Sequence, residues 1–227
     1  MAKLEEVIII GAGPSGISAA IQLKRYGLEP VLFERQTLII ASGTEPRKFP
    51  DIDYSLSDKS RLYYEVEPLA DISNEKIAIV GSGDIAFDYA LSLSRKNEVI
   101  ILNRSDKFKC LPLLWERALK SRNIVYHENT PIKAIRSNPD GLHITCRNRH
   151  NIFEVDARYL LIAIGRKPCL GFVSENLKPR INSLRKSKTL YIIGDAGREI
   201  FRQVAISVGD GVKAAMEINR QINKRNS

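Results

Sequence analysis

Three cysteines in 227 residues, Cys110, Cys146 and Cys169, are too few and too widely spaced for a disulfide framework or a metal site. Long apolar runs are also missing. VIII at 7–10 and YLLIAI at 159–164 fall far short of the about 20 residues that span a bilayer. The opening MAKLEE has no signal-peptide character, since a charged start leads directly into a strand, and the cytoplasm is the expected compartment. Aromatic residues make up only 7% of the chain, and none interleave with the basic stretches RNRH (147–150), RKSK (185–188) and the NKRNS tail. A stacking platform for nucleic acid is thereby excluded. The net charge of +9 describes a solvated basic surface, suited to an anionic cofactor or an acidic protein partner.

What the chain does contain is an internal repeat. Residues 7–34 read VIIIGAGPSGISAAIQLKRYGLEPVLFE, and residues 77–104 read IAIVGSGDIAFDYALSLSRKNEVIILNR. Each copy has an apolar strand, a glycine-rich turn, an amphipathic helix and a second apolar strand, the opening unit of a dinucleotide fold. Gly11 and Gly81 allow a sharp turn off the strand. Gly13 and Gly83 leave room for a pyrophosphate to approach the backbone. Gly16, and Ala86 in the second copy, permit close packing of helix on strand. Amides at each helix start, aided by the helix dipole, then face the phosphates. Pro14 suits a first helical turn, where its missing N–H is no loss.

The second strands end differently. Glu34 closes the first and is placed to accept hydrogen bonds from ribose hydroxyls. The second closes on Asn103 and Arg104, with Lys107 and Lys109 following. A neutral and then a cationic residue tolerate a 2′-phosphate, which favours NADPH over NADH unless Arg104 is simply a surface arginine.

Further segments fit this frame in order: LIIASGTEPR (38–47), DKFKCLPLLWERAL (106–119), LLIAIGRKP (160–168), YIIGDAG (191–197) and FRQVAISVGDGVKAA (201–215). With the two glycine turns, they resemble the thioredoxin reductase-like flavoproteins of the pyridine nucleotide-disulfide oxidoreductase superfamily. The resemblance implies an α/β protein with two Rossmann-like domains: an NAD(P)H domain at 69–167 inserted into a truncated, discontinuous FAD domain at 1–68 and 168–227. It implies that Gly11, Gly13, Pro14, Gly16, Glu34, Arg35, Gly194, Asp195, Gln203 and Val204 contact FAD. Gly81, Gly83, Asp84 and Arg104 would contact NADPH. The stretch 132–160 is expected to form three strands, with turns at Asn138–Gly141 and Asn148–Asn151.

Two departures qualify this. The dithiol-reducing members carry a CxxC pair in the inserted domain, whereas here Cys110 stands alone, with Leu113 three residues on. Dithiol exchange needs a thiolate and a resolving partner. The expected activity is therefore an FAD-dependent NAD(P)H oxidoreductase serving an external acceptor: a ferredoxin- or flavodoxin-type protein, a quinone or another small oxidant. No catalytic acid, base, nucleophile or metal ligand is assigned. Secondly, only Arg35, Gln36 and Thr37 separate VLFE from LIIA, where the family has several dozen residues. A parallel connection needs a dozen or more, so LIIA is expected to form a hairpin with VLFE or to leave the FAD sheet. A domain so reduced would expose apolar surface. This keeps open a non-catalytic nucleotide-binding sensor, or a subunit completed by a partner chain. A homodimer is also open, relatives being commonly dimeric.

Overall fold

The structure, a computed structural model, describes residues 6–28, 36–49, 53–55, 60–148, 151–198 and 201–225. It divides into two compact units, Met1–Glu45 with Arg166–Ser227, and Pro46–Gly165. The chain starts in the first unit with β1 (Glu6–Ile10), α1 (Pro14–Arg25), β2 (Gln36–Ile40) and β3 (Thr44–Pro46). The second unit contains β4 (Asp53–Ser55), β5 (Leu62–Tyr63), β6 (Lys76–Val80), α2 (Asp84–Leu93), β7 (Glu98–Leu102), α3 (Pro112–Lys120) and β8 (Ile124–His127). It continues through β9 (Ile132–Asn138), β10 (Gly141–Arg147), β11 (Ile152–Ala157) and β12 (Tyr159–Ile162). The chain returns to the first unit with β13 (Arg166–Pro168), α4 (Ile181–Lys186), β14 (Leu190–Ile192) and α5 (Val204–Arg225).

In the first unit, β2 lies between β1 and β14 and runs parallel to both. LIIA neither turns back as a hairpin nor leaves the sheet, which corrects the expectation from sequence. The three-residue limit applied to a connection from VLFE. The parallel partner of LIIA is instead β1, and the crossover between them includes the whole of α1. VLFE itself lies outside the described residues. Residues of alternating parity on these strands face opposite layers. Val7, Ile39 and Ile193 pack with Ala19 and Leu23 of α1 and Ala214, Ala215 and Ile218 of α5. On the other face Ile40 and Leu190 meet Val173, with Leu177, Ile181 and Leu184 packed against them. Residues 170–186, unassigned from sequence, thus cover that face. Helix α1 ends where the Leu28 N–H bonds to the Leu23 carbonyl and Gly27 N–H to that of Lys24.

The second unit has three layers. A parallel sheet in the order β5-β12-β6-β7-β8 forms the middle. Strands β6 and β7 are buried at four of five positions, the pattern of a sheet covered on both faces. Ala78, Val80, Ile100 and Leu102 pack against Ile132, Ile135, Leu142 and Ile144 of β9 and β10. Ile77, Ile79, Val99 and Ile101 pack against Phe87, Ala90 and Leu93 of α2 and Ala118 of α3. The antiparallel meander β9-β10-β11 forms as expected, with Asn138 paired to Gly141 across a two-residue turn. The compact units part after Glu45 and again after Gly165. The strands that follow build onto the second unit, β4 pairing with β9 and β5 with β12.

On the meander, His143 stands opposite Asp156 on one side and Arg136 on the other. Its Nδ1 lies 2.8 Å from Asp156 and its Nε2 3.0 Å from Glu154. The hydrogen bond to Asp156, then that to Glu154, raise the histidine pKa above its ordinary value. A raised folded-state pKa stabilises the fold below the unfolded value, and that contribution is lost as pH rises through the folded value. Urea melts of His143→Gln should therefore show a stability deficit of under about 1 kcal/mol at about pH 5 that disappears by about pH 9. A deficit independent of pH would remove the ionic explanation.

Candidate nucleotide-binding sites

In the first unit the glycine turn follows β1. Gly11 has φ +109°, and a Cβ there would collide with the Ala41 carbonyl just past β2. The Ala41 N–H donates to Ile10 O at 2.6 Å, so turn and neighbouring strand are locked together. Gly13 is the N-cap of α1; it offers no capping side chain, and no acid stands in the first turn. The first amides of the helix are therefore left for solvent or an anion. A Cβ on Gly13 would meet nothing within 4 Å, whereas one on Gly16 would strike the Gly11 carbonyl. Pro14 occupies the first helical position.

The third wall comes from the segment after β14. Gly194 (φ +62°) lies against the Ser15 side chain. The Asp195 Oδ1 accepts from the Ser207 hydroxyl at 3.2 Å. Asp210 was missed from sequence. Its Oδ2 accepts from the Gly194 N–H at 3.2 Å and the Arg198 Nε at 2.8 Å, and its Oδ1 from Arg198 Nη2. The hydrogen bond from Arg198 holds its carboxyl below the usual range. The signal for it was the spacing Ser207-Asp210-Gly211, small residues around an acid on one helix face. Gln203 and Val204 stand exposed at the start of α5, Val204 being 68% accessible. Glu34 and Arg35 lie outside the described residues.

The second unit repeats this design. Gly81 has φ +150°, and a Cβ there would collide with the Ala163 carbonyl just past β12. The Ala163 N–H donates to Val80 O at 2.9 Å. Ala41 and Ala163 thus occupy matching places beside their glycine turns. Gly83 caps α2 without a side chain and faces open space, as Gly13 does. Ala86 is fully buried. The 103–111 loop is stitched to the turn. Lys109 N–H donates to Ser82 O at 2.7 Å, and Leu111 N–H to Asp84 Oδ1 at 2.7 Å. Asp84 therefore anchors the loop before α3. Arg104, Lys107 and Lys109 are exposed along that loop, while Asn103 is buried inside it. From sequence, Asn103 is only a neutral residue at that corner; in the structure its side chain serves the loop itself.

Both turns fit a pyrophosphate: a side-chain-free approach, an uncapped helix start and tight support behind. The family model described as pyridine nucleotide-disulphide oxidoreductase matches residues 33–211. The chain belongs to this family. A second model, an NAD(P)-binding Rossmann-like domain, matches residues 9–55. Among curated relatives, the thioredoxin reductase of Mycoplasma genitalium is 27% identical over 207 residues, covering 82% of this chain and 64% of its own length. That of Escherichia coli O157:H7 is 25% identical over 170 residues, covering 66% of this chain and 53% of its own. The chain thus spans between about half and two thirds of these two relatives. The solved thioredoxin reductase of Lactococcus lactis superposes with a TM-score of 0.81 at 20% identity, over 98% of this chain and 100% of that one. The T. acidophilum enzyme gives 0.78 at 18%, over 96% and 99%. The fold of the family, two Rossmann-like dinucleotide-binding domains, is the fold of this chain. Among the described residues no helix is long and apolar enough to cross a membrane, and no acidic, histidine or cysteine group could hold a metal ion.

Gly13 and Gly83 have φ −72° and −98°, which alanine adopts freely. Gly13→Ala and Gly83→Ala should leave stability within about 0.5 kcal/mol, measured by thermal melts. A methyl in the cradle should nevertheless weaken dinucleotide binding at the altered unit by about tenfold or more in calorimetry. Unchanged binding would show that the turns do not approach a ligand.

Proposed function

We propose that the protein is a flavin-dependent NAD(P)H oxidoreductase, passing reducing equivalents from NADPH through FAD to an external acceptor. The observation that supports this is the pair of cradles of one design, one in each unit, each with an open glycine at an uncapped helix start. FAD, when bound, supplies the electron chemistry; the chain's part is grip, orientation and electrostatics. In the first unit Gly11, Gly13, Pro14, Gly16, Gly194 and Asp195 would hold the FAD diphosphate and ribityl chain. Gln203 and Val204 would approach the ring, and Glu34 and Arg35 keep their assignment from sequence. In the second unit Gly81 and Gly83 would hold the NADPH diphosphate, with Asp84 supporting the loop that presents Arg104.

Cysteine chemistry runs against dithiol exchange in this chain. No two cysteines stand within four residues of each other. Burial pushes the Cys146 thiol up to about 11 and also raises Cys110. Both are protonated at neutral pH and poor nucleophiles. The acceptor is then an acidic ferredoxin- or flavodoxin-type protein, a quinone or another small oxidant, the basic surface favouring an acidic protein through steering. The relatives are thioredoxin reductases, and thioredoxin as acceptor would need a dithiol that this chain does not carry.

One observation favours a second reading, a nucleotide-binding subunit completed by a partner. Ile17 and Ile21 on α1, and Val204 and Val208 on α5, are exposed apolar residues of the first unit. The visible spectrum of the protein reconstituted with FAD, followed by anaerobic NADPH, decides between the two. Flavin absorbance that bleaches on NADPH addition is expected of the oxidoreductase. A chain that takes up nucleotide yet shows no bleachable flavin is the subunit. Arg104→Ala should weaken NADPH by about tenfold or more and leave NADH nearly unchanged, because a charge-assisted phosphate contact is lost. Equal loss for both nucleotides would misplace the 2′-phosphate.

A further inference from the structure

Exposed lysines and arginines discriminate a phosphate only if the backbone that carries them is fixed, since free side chains lose entropy on pairing. The loop bearing Arg104, Lys107 and Lys109 is fixed at both ends. Its far end is stitched to Ser82 and Asp84, as described. Its near end is held by the Asn129 N–H on Ser105 O at 3.0 Å, the Thr130 N–H on Asn103 O at 2.7 Å and one side-chain amide. Asn103, 2% exposed, donates from Nδ2 to Lys107 O at 3.0 Å and to the Tyr126 hydroxyl at 2.8 Å. Its Oδ1 accepts from Ser105 N–H at 3.2 Å. A carboxamide has two N–H donors and one acceptor oxygen, so these bonds define its orientation. Were it flipped, its oxygen would face the Lys107 carbonyl. The Lys107 carbonyl and the Ser105 N–H exclude this, and the Tyr126 hydroxyl takes the amide's second N–H, which fixes where the carboxamide lies.

Tyr126 is itself held by aromatic packing. Its ring meets Trp115 edge-on at 4.9 Å between centroids and Phe87 at 5.9 Å. Trp115 in turn stacks on Phe108 of the loop, at 4.5 Å and 7° between planes. Tyr126 therefore reaches the loop twice, through Asn103 at Lys107 and through Trp115 at Phe108. Burial raises its phenol pKa, which keeps the hydroxyl neutral.

We propose that Tyr126 is a positioning residue for 2′-phosphate recognition, its hydroxyl acting through Asn103 to shape the loop that gathers Arg104, Lys107 and Lys109 beside the Gly81–Gly83 turn. The proposal rests on the reading of the second unit as the NADPH site. Its specificity for the phosphorylated ribose then rests in part on a half-buried tyrosine near the end of β8.

Calorimetric titration of the full chain with adenosine 2′,5′-bisphosphate and with adenosine 5′-monophosphate separates the two layers of this claim. The unaltered protein should prefer the bisphosphate by about tenfold or more. Tyr126→Phe should weaken the bisphosphate by about three- to tenfold and leave the monophosphate within about twofold. Added to Lys107→Ala with Lys109→Ala, the same change should have little further effect, because a positioning residue acts through what it positions. Asn103→Ala, which keeps the phenol, should reproduce the selective loss and serves if Tyr126→Phe does not fold. Equal weakening of both ligands would reduce Tyr126 to a support of the fold, and an unchanged ratio would show that the loop keeps its shape without it. Either result overturns the proposal and leaves the site standing. No preference for the bisphosphate in the unaltered protein would overturn the NADPH reading instead.

Discussion

Backbone meets backbone at Gly11 and Gly81, and each unit is organised around that meeting. The turn leaving the first strand passes so close to the carbonyl of Ala41 or Ala163 that no side chain fits between. That approach fixes which strand lies beside the turn and aims the following helix start at open space. It also leaves the first amides of each helix uncapped, to be satisfied by solvent or by a negatively charged ligand. The remaining features of each site are supports. In the first unit these are Ser15, Ser207 and the Arg198–Asp210 pair behind Gly194; in the second they are Asp84 and the 103–111 loop.

The two units solve the same problem with different electrostatics. In the first, the only described acids near the turn are tied down: Asp195 by a serine hydroxyl and Asp210 by an arginine fork and a backbone amide. In the second, a carboxylate sits at the helix start itself, where Asp84 would oppose a phosphate if it were free. Its engagement by the Leu111 N–H directs that oxygen to the loop instead. Cations follow a few residues away, so the local balance is restored by the loop that Asp84 anchors.

Much of this was legible in the sequence because the signals were local. Strand, glycine turn and helix follow one another within about thirty residues, and period and spacing identify them. The meander was legible too, since Asn138-Pro139-Asp140-Gly141 between alternating strands carries Asn, Pro and Gly in the places a β-turn favours. The failures concerned long-range matters. LIIA was misplaced because its distance from VLFE was taken as the constraint, whereas its partner is β1. Leu62 and Tyr63 carried no strand signal of their own, and two residues pair with β12 only because that strand is there. Asn103 was legible only as a neutral residue at the end of β7, as sequence position does not give the direction of a side chain. Tyr126 gave no signal at all: its role depends on an amide 23 positions away.

The central place of β2 bears on how much such a domain can lose. All three walls of the first cradle come from the ends of β1, β2 and β14, neighbouring strands of one sheet among the described residues. Segments lost elsewhere in the unit leave those ends, and the gap among them, in place. A fold whose working part is built from its middle can be pared at the rim in evolution and still grip a diphosphate.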